Sequence, residues 1–136
     1  PPRSTLFPYT TLFRSPDLFP ILAALAAHCI GISTIKGVHR LRGKESDRAA
    51  VLAQEFAKLG VALTVDNDTM HIVGGRVRGG IIDSHNDHRI AMAGAVLALR
   101  AEGAVSITQS ECVNKSYPRF WEDCKRIGIE VENNIL

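Results

Sequence analysis

Several features that mark specialised proteins are scarce or absent in this sequence. Its three cysteines, Cys29, Cys112 and Cys124, form neither a CxxC pair nor an even disulfide framework, which favours a reducing compartment. No apolar run reaches the roughly 20 residues of a membrane helix, and the nearest one, at 18–32, contains His28. A net charge of +2 over 136 residues excludes a strongly basic nucleic-acid module. We therefore expect a globular protein that binds neither nucleic acid nor membrane.

The composition that remains, 46% hydrophobic and 22% charged, is typical of one globular domain, but the first fifteen residues differ from the rest. They contain two arginines and no acid, so residues 16–136 carry equal numbers of basic and acidic side chains. The segments TLFPY at 5–9 and TLFRS at 11–15 are nearly identical, and neither has the apolar periodicity that would predict a helix or a strand. The segment resembles a translated sequencing adapter. We predict a non-native leader at 1–15 and the protein body at 16–136.

From residue 16 onward, helix-period segments alternate with short β-branched runs. The patterns predict helices at 17–29, 45–59, 90–100 and 117–127, and strands at 32–36, 61–65, 70–73 and 105–107. This order indicates an α/β or α+β domain. Its later elements, helix–strand–helix, partly repeat the order of its earlier ones, helix–strand–helix–strand–strand. The helix at 90–100 is apolar almost all round, so we expect it to be buried on most of its surface.

Charged side chains concentrate first in the string LRGKESDR at 41–48, where a helix is predicted to begin. If its first turn starts at Glu45, the side chains of Lys44, Glu45 and Arg48 lie on one side. The free N–H groups of a helix N-terminus together with two cations favour an anion site. The alternative is a solvated first turn in which Glu45 and Asp47 form surface salt bridges. Composition does not decide between them.

The second concentration is Asn86-Asp87-His88-Arg89, which leads into the apolar helix. Asp87 is a natural N-cap, and one interpretation is a capping loop from which Arg89 reaches solvent. However, a buried cation costs several kcal/mol unless an anion pairs with it, which favours an anionic ligand here. The pair His85-x-x-His88 has no third ligand at suitable spacing, so no zinc site is predicted.

A third cation, Lys115, is predicted on a loop just before the last helix. A single loop lysine is usually solvated. However, this is the third cationic segment that leads from a loop into a helix, after those at 41–48 and 86–89. Because the three occupy corresponding places in successive helix–strand units, they could converge on one polyanionic substrate.

The order of these motifs carries a family resemblance. Asp17 in a Pro-Asp helix start is followed by LRGKESDR at 41–48, NDHRIAMA at 86–93 and NKSYPRFW at 114–121. This order resembles the C-terminal part of the second domain of the 5-enolpyruvylshikimate-3-phosphate synthase family over nearly all of 16–131. The implied fold is a partial inside-out α/β barrel of repeated βαβαββ units with buried helices.

The resemblance implies transfer of the enolpyruvyl group of phosphoenolpyruvate to the 5-hydroxyl of shikimate 3-phosphate, with release of phosphate and with no metal or organic cofactor. Asp17 would contact the shikimate hydroxyls and is a candidate base, and Glu45 would exchange protons with the methylene carbon of phosphoenolpyruvate. The implied catalytic residues are Asp17, Lys44, Glu45 and His88, and the implied substrate-binding residues are Asp17, Lys44, Arg48, Arg89 and Lys115.

The resemblance also implies a partner, the N-terminal domain of the same enzyme, without which the chain would be inactive. The expected compartment is the bacterial cytoplasm, and a plastid remains open. Two other functions stay open at this point. One is the sister transferase acting on UDP-N-acetylglucosamine, and the other is an anion-binding domain without turnover.

Overall fold

A computed structural model describes residues 10–11, 16–44 and 46–133. The helices are α1 (Phe19–Ala27), α2 (Arg48–Lys58), α3 (His88–Ala98) and α4 (Phe120–Arg126). The strands are β1 (Thr10–Thr11), β2 (Gly31–Lys36), β3 (Ala62–Asp66), β4 (Thr69–Gly74), β5 (Gly80–Asp83) and β6 (Val105–Thr108). Short 3-10 helices span Pro16–Leu18, Val38–Leu41 and Ser110–Lys115. The predicted leader at 1–15 lies outside the described residues except for β1, so that division stays a prediction.

The described strands form two separate sheets and no closed barrel. The larger sheet has the order β1-β2-β4-β3, in which β1 and β2 are parallel and the other pairs are antiparallel. The smaller sheet pairs β5 with β6 in parallel, with Ile82 opposite Ile107. The first unit is thus β1-α1-β2-α2-β3-β4, and β5-α3-β6 begins a second one with the same parallel pairing. The described residues thus contain one complete βαβαββ unit and the beginning of a second.

Helix α3 occupies the interior between the two units. It packs against α1, β5, β6 and the Ser110–Lys115 turn, and eight of its eleven residues are buried. At Gly94 an added Cβ would lie 3.0 Å from the Ile107 side chain, so the missing side chain lets α3 approach the small sheet closely. Alanines on α1 similarly allow the two helices to pack closely: Ala23, Ala24, Ala26 and Ala27 are fully buried. The expectation of a buried, nearly all-apolar helix is confirmed.

Several local predictions differ from the structure. Strand β1 lies at Thr10–Thr11, where no strand was expected, and α4 begins at Phe120 rather than at residue 117. Helix α2 begins at Arg48 rather than at Glu45, because Asp47 caps it by accepting a hydrogen bond from the N–H of Ala50 at 3.3 Å. Lys44 therefore lies in the segment before the helix, outside helical spacing with Arg48. Strand β5 was missed because a glycine-rich stretch precedes it and only two apolar positions, Ile81 and Ile82, indicate a strand.

None of the helices among the described residues combines the length and apolar character needed to cross a bilayer.

Candidate anion-binding site

Three of the predicted site residues, one carboxylate and two cations, lie at the N-terminal ends of three different helices. Asp17 belongs to the 3-10 turn that precedes α1, Arg48 is the first residue of α2, and Arg89 is the second residue of α3. The chain order separates these residues by up to 72 positions, and the packing of α1 against α3 brings them together. Because each helix N-terminus carries partial positive charge, cations placed there raise the local positive potential instead of neutralising it.

Asp17 is the point on which three cations converge. Its carboxylate lies 2.7 Å from Nη1 of Arg48, 3.7 Å from Nζ of Lys44 and 3.9 Å from Nη2 of Arg89. Burial would raise the pKa of Asp17, but the hydrogen bond from Arg48 and the charges of the three cations hold it below its ordinary value. Asp17 is therefore an ionised carboxylate whose side chain remains 47% exposed.

Arg48 is almost completely buried and is held from its other side by Asp87. The Arg48 side chain is 1% exposed and that of Asp87 is 0% exposed. Nε of Arg48 donates to Oδ2 of Asp87 at 2.9 Å, and Nη2 donates to Oδ1 at 3.2 Å. This two-point pairing orients the guanidinium plane so that Nη1 faces Asp17. The interpretation of 44–48 as a solvated first turn is therefore wrong for Arg48.

Asp87 combines two structural tasks. Its Oδ1 accepts the N–H of Arg89 at 2.9 Å, which confirms it as the N-cap of α3, and its Oδ2 also accepts the hydroxyl of Ser46 at 2.7 Å. Burial would raise the pKa of Asp87, but the hydrogen bonds from Arg48 and Ser46 and the charge of Arg48 lower it. Asp87 was expected only as a cap. No local signal showed that its second pairing would be a buried arginine 39 positions earlier.

Arg89 has unused hydrogen-bonding capacity that points to a ligand. Its side chain is 28% exposed, and it approaches Asp17 only at 3.9 Å. Its Nε is buried and has no hydrogen-bond partner among the described residues. Buried donors are nearly always paired in folded proteins, so this guanidinium is suited to an anion that enters from outside the described chain.

His88 and Lys115 border the same region. His88, the first residue of α3, is 7% exposed between Asp87 and Arg89. Lys115 ends the Ser110–Lys115 turn, and its ammonium donates to the carbonyl of Asn86, directly before the α3 cap. Two of the three predicted cationic segments thus meet at Asp17, and the third, at Lys115, contacts the residue before the α3 cap. Their convergence on one anionic substrate stays a prediction. Glu45, the remaining predicted site residue, lies outside the described residues.

Charge at this site is unbalanced. Among the described residues, Lys44, Arg48, Arg89 and Lys115 supply four cations and Asp17 and Asp87 supply two carboxylates, and the predicted site residue Glu45 would add a third carboxylate. The excess of positive charge, together with two helix N-termini, suits a ligand with more than one negative group. Guanidinium groups pair with carboxylate or phosphate through two parallel hydrogen bonds, and an ammonium acts as a point charge. The geometry therefore favours a small molecule that carries both groups.

A metal site has less support. Within residues 16–44 and 46–133, no group of three or more His, Cys, Asp or Glu side chains is arranged to hold a metal ion. Of the pair His85-x-x-His88, the His85 ring turns toward Glu55 on α2, with 3.0 Å between Nε2 and Oε1.

Comparisons with known proteins agree with the motif order. A family model described as EPSP synthase (3-phosphoshikimate 1-carboxyvinyltransferase) matches residues 10–124. The chain is 49% identical over 119 residues to the 3-phosphoshikimate 1-carboxyvinyltransferase of Clostridium acetobutylicum, covering 87% of this chain and 28% of that protein. It is 44% identical to the Methanopyrus kandleri protein of the same name over 122 residues, covering 90% of this chain and again 28% of the relative.

Solved structures agree as well. An EPSP synthase from Acinetobacter baumannii superposes with a TM-score of 0.78 at 38% identity, covering 84% of this chain and 27% of that one. The enolpyruvyl transferase NikO from Streptomyces tendae, at 21% identity and a TM-score of 0.65, covers 87% of this chain and 26% of its own. That second likeness shows the fold alone. The chain spans about 28% of the length of the curated relatives it matches.

Proposed function

Because the chain belongs to the EPSP synthase family, we propose that it supplies part of the active site of a 3-phosphoshikimate 1-carboxyvinyltransferase. The observation that carries this proposal is the convergence of Lys44, Arg48 and Arg89 within 4 Å of the Asp17 carboxylate. A site with excess positive charge and an unpaired Arg89 donor suits phosphoenolpyruvate, which carries a carboxylate and a phosphate on the same carbon, C2.

The proposed reaction joins the 5-hydroxyl oxygen of shikimate 3-phosphate to C2 of phosphoenolpyruvate while C3 gains a proton. The C2–phosphate bond then breaks and C3 loses a proton, so that inorganic phosphate leaves and the enolpyruvyl ether remains. This sequence requires one group that takes the hydroxyl proton and one that exchanges protons with C3. We assign the first role to Asp17 and the second to Glu45, and we include His88 among the catalytic residues.

Asp17 has a low pKa while it faces cations alone, and a carboxylate with a low pKa is a weak base. When the substrate's carboxylate and phosphate pair with Lys44 and Arg89, the two partly exposed cations near Asp17, those cations stabilise the Asp17 charge less. The pKa of Asp17 then rises, and the residue becomes a better acceptor for the 5-hydroxyl proton. Binding of phosphoenolpyruvate thus makes Asp17 a stronger base for the second substrate.

The positive charge also lowers the barrier to release of phosphate. As the C2–O bond breaks, negative charge grows on the leaving phosphate, and positioned arginine and lysine side chains stabilise that charge. Because the arginine held by Asp87 is already oriented, little reorganisation is needed at that moment.

A chimera tests the proposal. Residues 16–133 replace the matched segment of the Clostridium acetobutylicum relative, and phosphate release is measured with phosphoenolpyruvate, shikimate 3-phosphate, both, or neither. We expect release only with both substrates, and we expect the 136-residue chain by itself to bind phosphoenolpyruvate without turnover.

The matched control is Arg76→Met, which removes an exposed arginine paired with Glu102 outside the site. It should leave turnover unchanged, whereas Arg48→Met should abolish it. A folded chimera that releases no phosphate would reject the proposal, and transfer to UDP-N-acetylglucosamine in its place would identify the sister reaction.

A further inference from the structure

A second buried carboxylate lies behind the site and takes no part in the proposed chemistry. Glu55 is on the third turn of α2, and its side chain is 1% exposed. Its Oε2 accepts the backbone N–H of Asp83 at 2.8 Å and the ammonium of Lys58 at 2.7 Å. Its Oε1 lies 3.0 Å from Nε2 of His85. Glu55 therefore joins α2 to the segment between β5 and α3.

That segment has an unusual backbone. His85 and Asn86 are consecutive, neither is glycine, and both have positive φ values of 52° and 56°. Such residues are uncommon, although Asn and His are among the side chains that tolerate this region best. The turn is held by contacts on several sides: Asp83 Oδ1 accepts the N–H of His85 at 2.8 Å, and Ser84 Oγ accepts the N–H of Asn86 at 3.2 Å. Helix α2 reaches the segment at two points, through the carboxylate of Glu55 at Asp83 and through the guanidinium of Arg48 at Asp87. From β6, the hydroxyl of Thr108 donates to Asp83 Oδ1 at 3.3 Å.

The same turn presents the groups that orient the cations. The carbonyl of Asn86 accepts the ammonium of Lys115, and Asp87 pairs with the guanidinium of Arg48. A displacement of the turn would therefore move Lys115 and Arg48 together. Because Arg48 and Glu55 are seven residues apart, they lie on one face of α2, and both reach the same turn.

We propose that Glu55 is a positioning residue that holds the 83–87 turn so that Arg48, Arg89 and Lys115 face the anionic groups of phosphoenolpyruvate. This inference rests on the proposed function for the identity of the ligand. Glu55 contacts no substrate in the proposal and acts only through the turn.

The ionisation of Glu55 fits this role. Burial would raise its pKa, but the hydrogen bonds from Lys58, the Asp83 N–H and His85 hold the pKa below its ordinary value. An ionised carboxylate makes stronger hydrogen bonds to these donors than a neutral amide would. A glutamine of the same size therefore keeps the volume at this position and weakens the hold on the turn.

The first test measures phosphoenolpyruvate binding to the full 136-residue chain by isothermal titration calorimetry. Glu55→Gln should weaken binding about tenfold or more, the scale of one lost hydrogen bond to a charged group. His85→Asn, which keeps a residue that tolerates positive φ, should weaken it less because the Asp83 N–H contact remains. Glu102→Gln, a carboxylate-to-amide change at an exposed ion pair, is the matched control and should bind as the parent does.

A reversibly unfolded fraction raises the apparent dissociation constant, because only the folded fraction of the protein is competent to bind. Circular dichroism of each variant at the titration temperature therefore gives the folded fraction, and the apparent dissociation constant is multiplied by that fraction before the variants are compared, which separates positioning from a merely structural role. An unchanged dissociation constant in Glu55→Gln would overturn the inference. If that variant does not fold, His85→Asn decides, and parent-like binding by it would overturn the inference equally.

The chimera provides the second readout. Glu55→Gln should raise the KM for phosphoenolpyruvate by a similar factor and leave the KM for shikimate 3-phosphate within about twofold. If the Glu55→Gln chimera has the same KM values as the unsubstituted chimera and only a lower kcat, the inference is contradicted. Binding that responds to Glu55→Gln in a chain whose chimera shows no turnover would support the positioning role and reject the proposed function. No binding by the unsubstituted chain and no turnover by its chimera would overturn both.

Discussion

Replacing Asp87 by asparagine should cost this chain a large part of its stability. The two oxygens of Asp87 accept from four donors: Nε and Nη2 of Arg48, the hydroxyl of Ser46 and the N–H of Arg89. In asparagine one oxygen becomes an NH₂ group, which faces two of these donors whichever way the amide is turned. The buried Arg48 also loses the more deeply buried of its two counter-charges, since Asp87 is 0% exposed and Asp17 is 47% exposed.

The magnitude follows from this geometry. Two hydrogen bonds to a charged group are worth about 1.5–3 kcal/mol each, and breaking a buried ion pair typically costs about 3–5 kcal/mol. Asp17 still faces Nη1 at 2.7 Å and offsets part of the loss. We expect a loss of about 3–5 kcal/mol from a total on the order of 5–15 kcal/mol.

Urea unfolding measures this loss. The single tryptophan, Trp121, is half-buried and donates to the carbonyl of Ser110 at 3.0 Å, so its fluorescence reports the end of the chain, while far-UV circular dichroism reports the helices. With a slope of about 2 kcal/mol per molar urea, the midpoint should fall by roughly 2 M. Glu102→Gln makes the same chemical change at an exposed pair with Arg76 and should cost less than about 1 kcal/mol. An Asp87→Asn protein within about 1 kcal/mol of the parent would refute the reasoning.

Four further outcomes are expected. In the chimera, Arg89→Ala should raise the KM for phosphoenolpyruvate at least about tenfold, and an unchanged KM would make this cation a surface charge. Glu45→Gln should lower kcat by about 10²–10⁴-fold with nearly intact binding, so an unaltered kcat would remove its proton-transfer role. The lowered pKa values of Asp17 and Asp87 contribute stability that is complete above about pH 5 and is lost as the pH falls below about 4. Thermal unfolding from pH 7 to 3 should show this fall, and Asp87→Asn should reduce it. Gly74→Ala should cost at least about 2 kcal/mol, because its Cβ would lie 2.0 Å from a carbonyl oxygen beyond α1, and a parent-like urea midpoint would contradict that packing.

Most of the fold could be predicted from local patterns. Periodicity alone placed all four helices and four of the strands near their observed positions, because a helix or strand that covers a core repeats its apolar residues at a characteristic spacing. Strand β5 was missed, since glycines precede it and only Ile81 and Ile82 mark its interior. The start of α2 was placed three residues early because the sequence offers several candidate caps and the contact of Asp47 with Ala50 selects one of them.

The candidate site could be predicted in part. Four of the expected residues come together in the structure. The side chains of Lys44, Arg48 and Arg89 all lie within 4 Å of the Asp17 carboxylate. Glu55 was not expected. A signal existed, since an acidic residue stands on the apolar face of α2 beside Phe56, where a solvated charge would not fit.

The sequence by itself determined the helices and strands, the buried character of α3, the family and the cationic residues, because each depends on spacing or on residue types in a fixed order. Only the tertiary structure decided that Asp87 would be a buried counter-ion for Arg48 as well as a cap, and that Glu55 would hold the turn before α3. Both pairings join residues 28 to 39 positions apart. The packing of α2 and α3 brings them into contact, and no local pattern records which carboxylate a buried cation will meet.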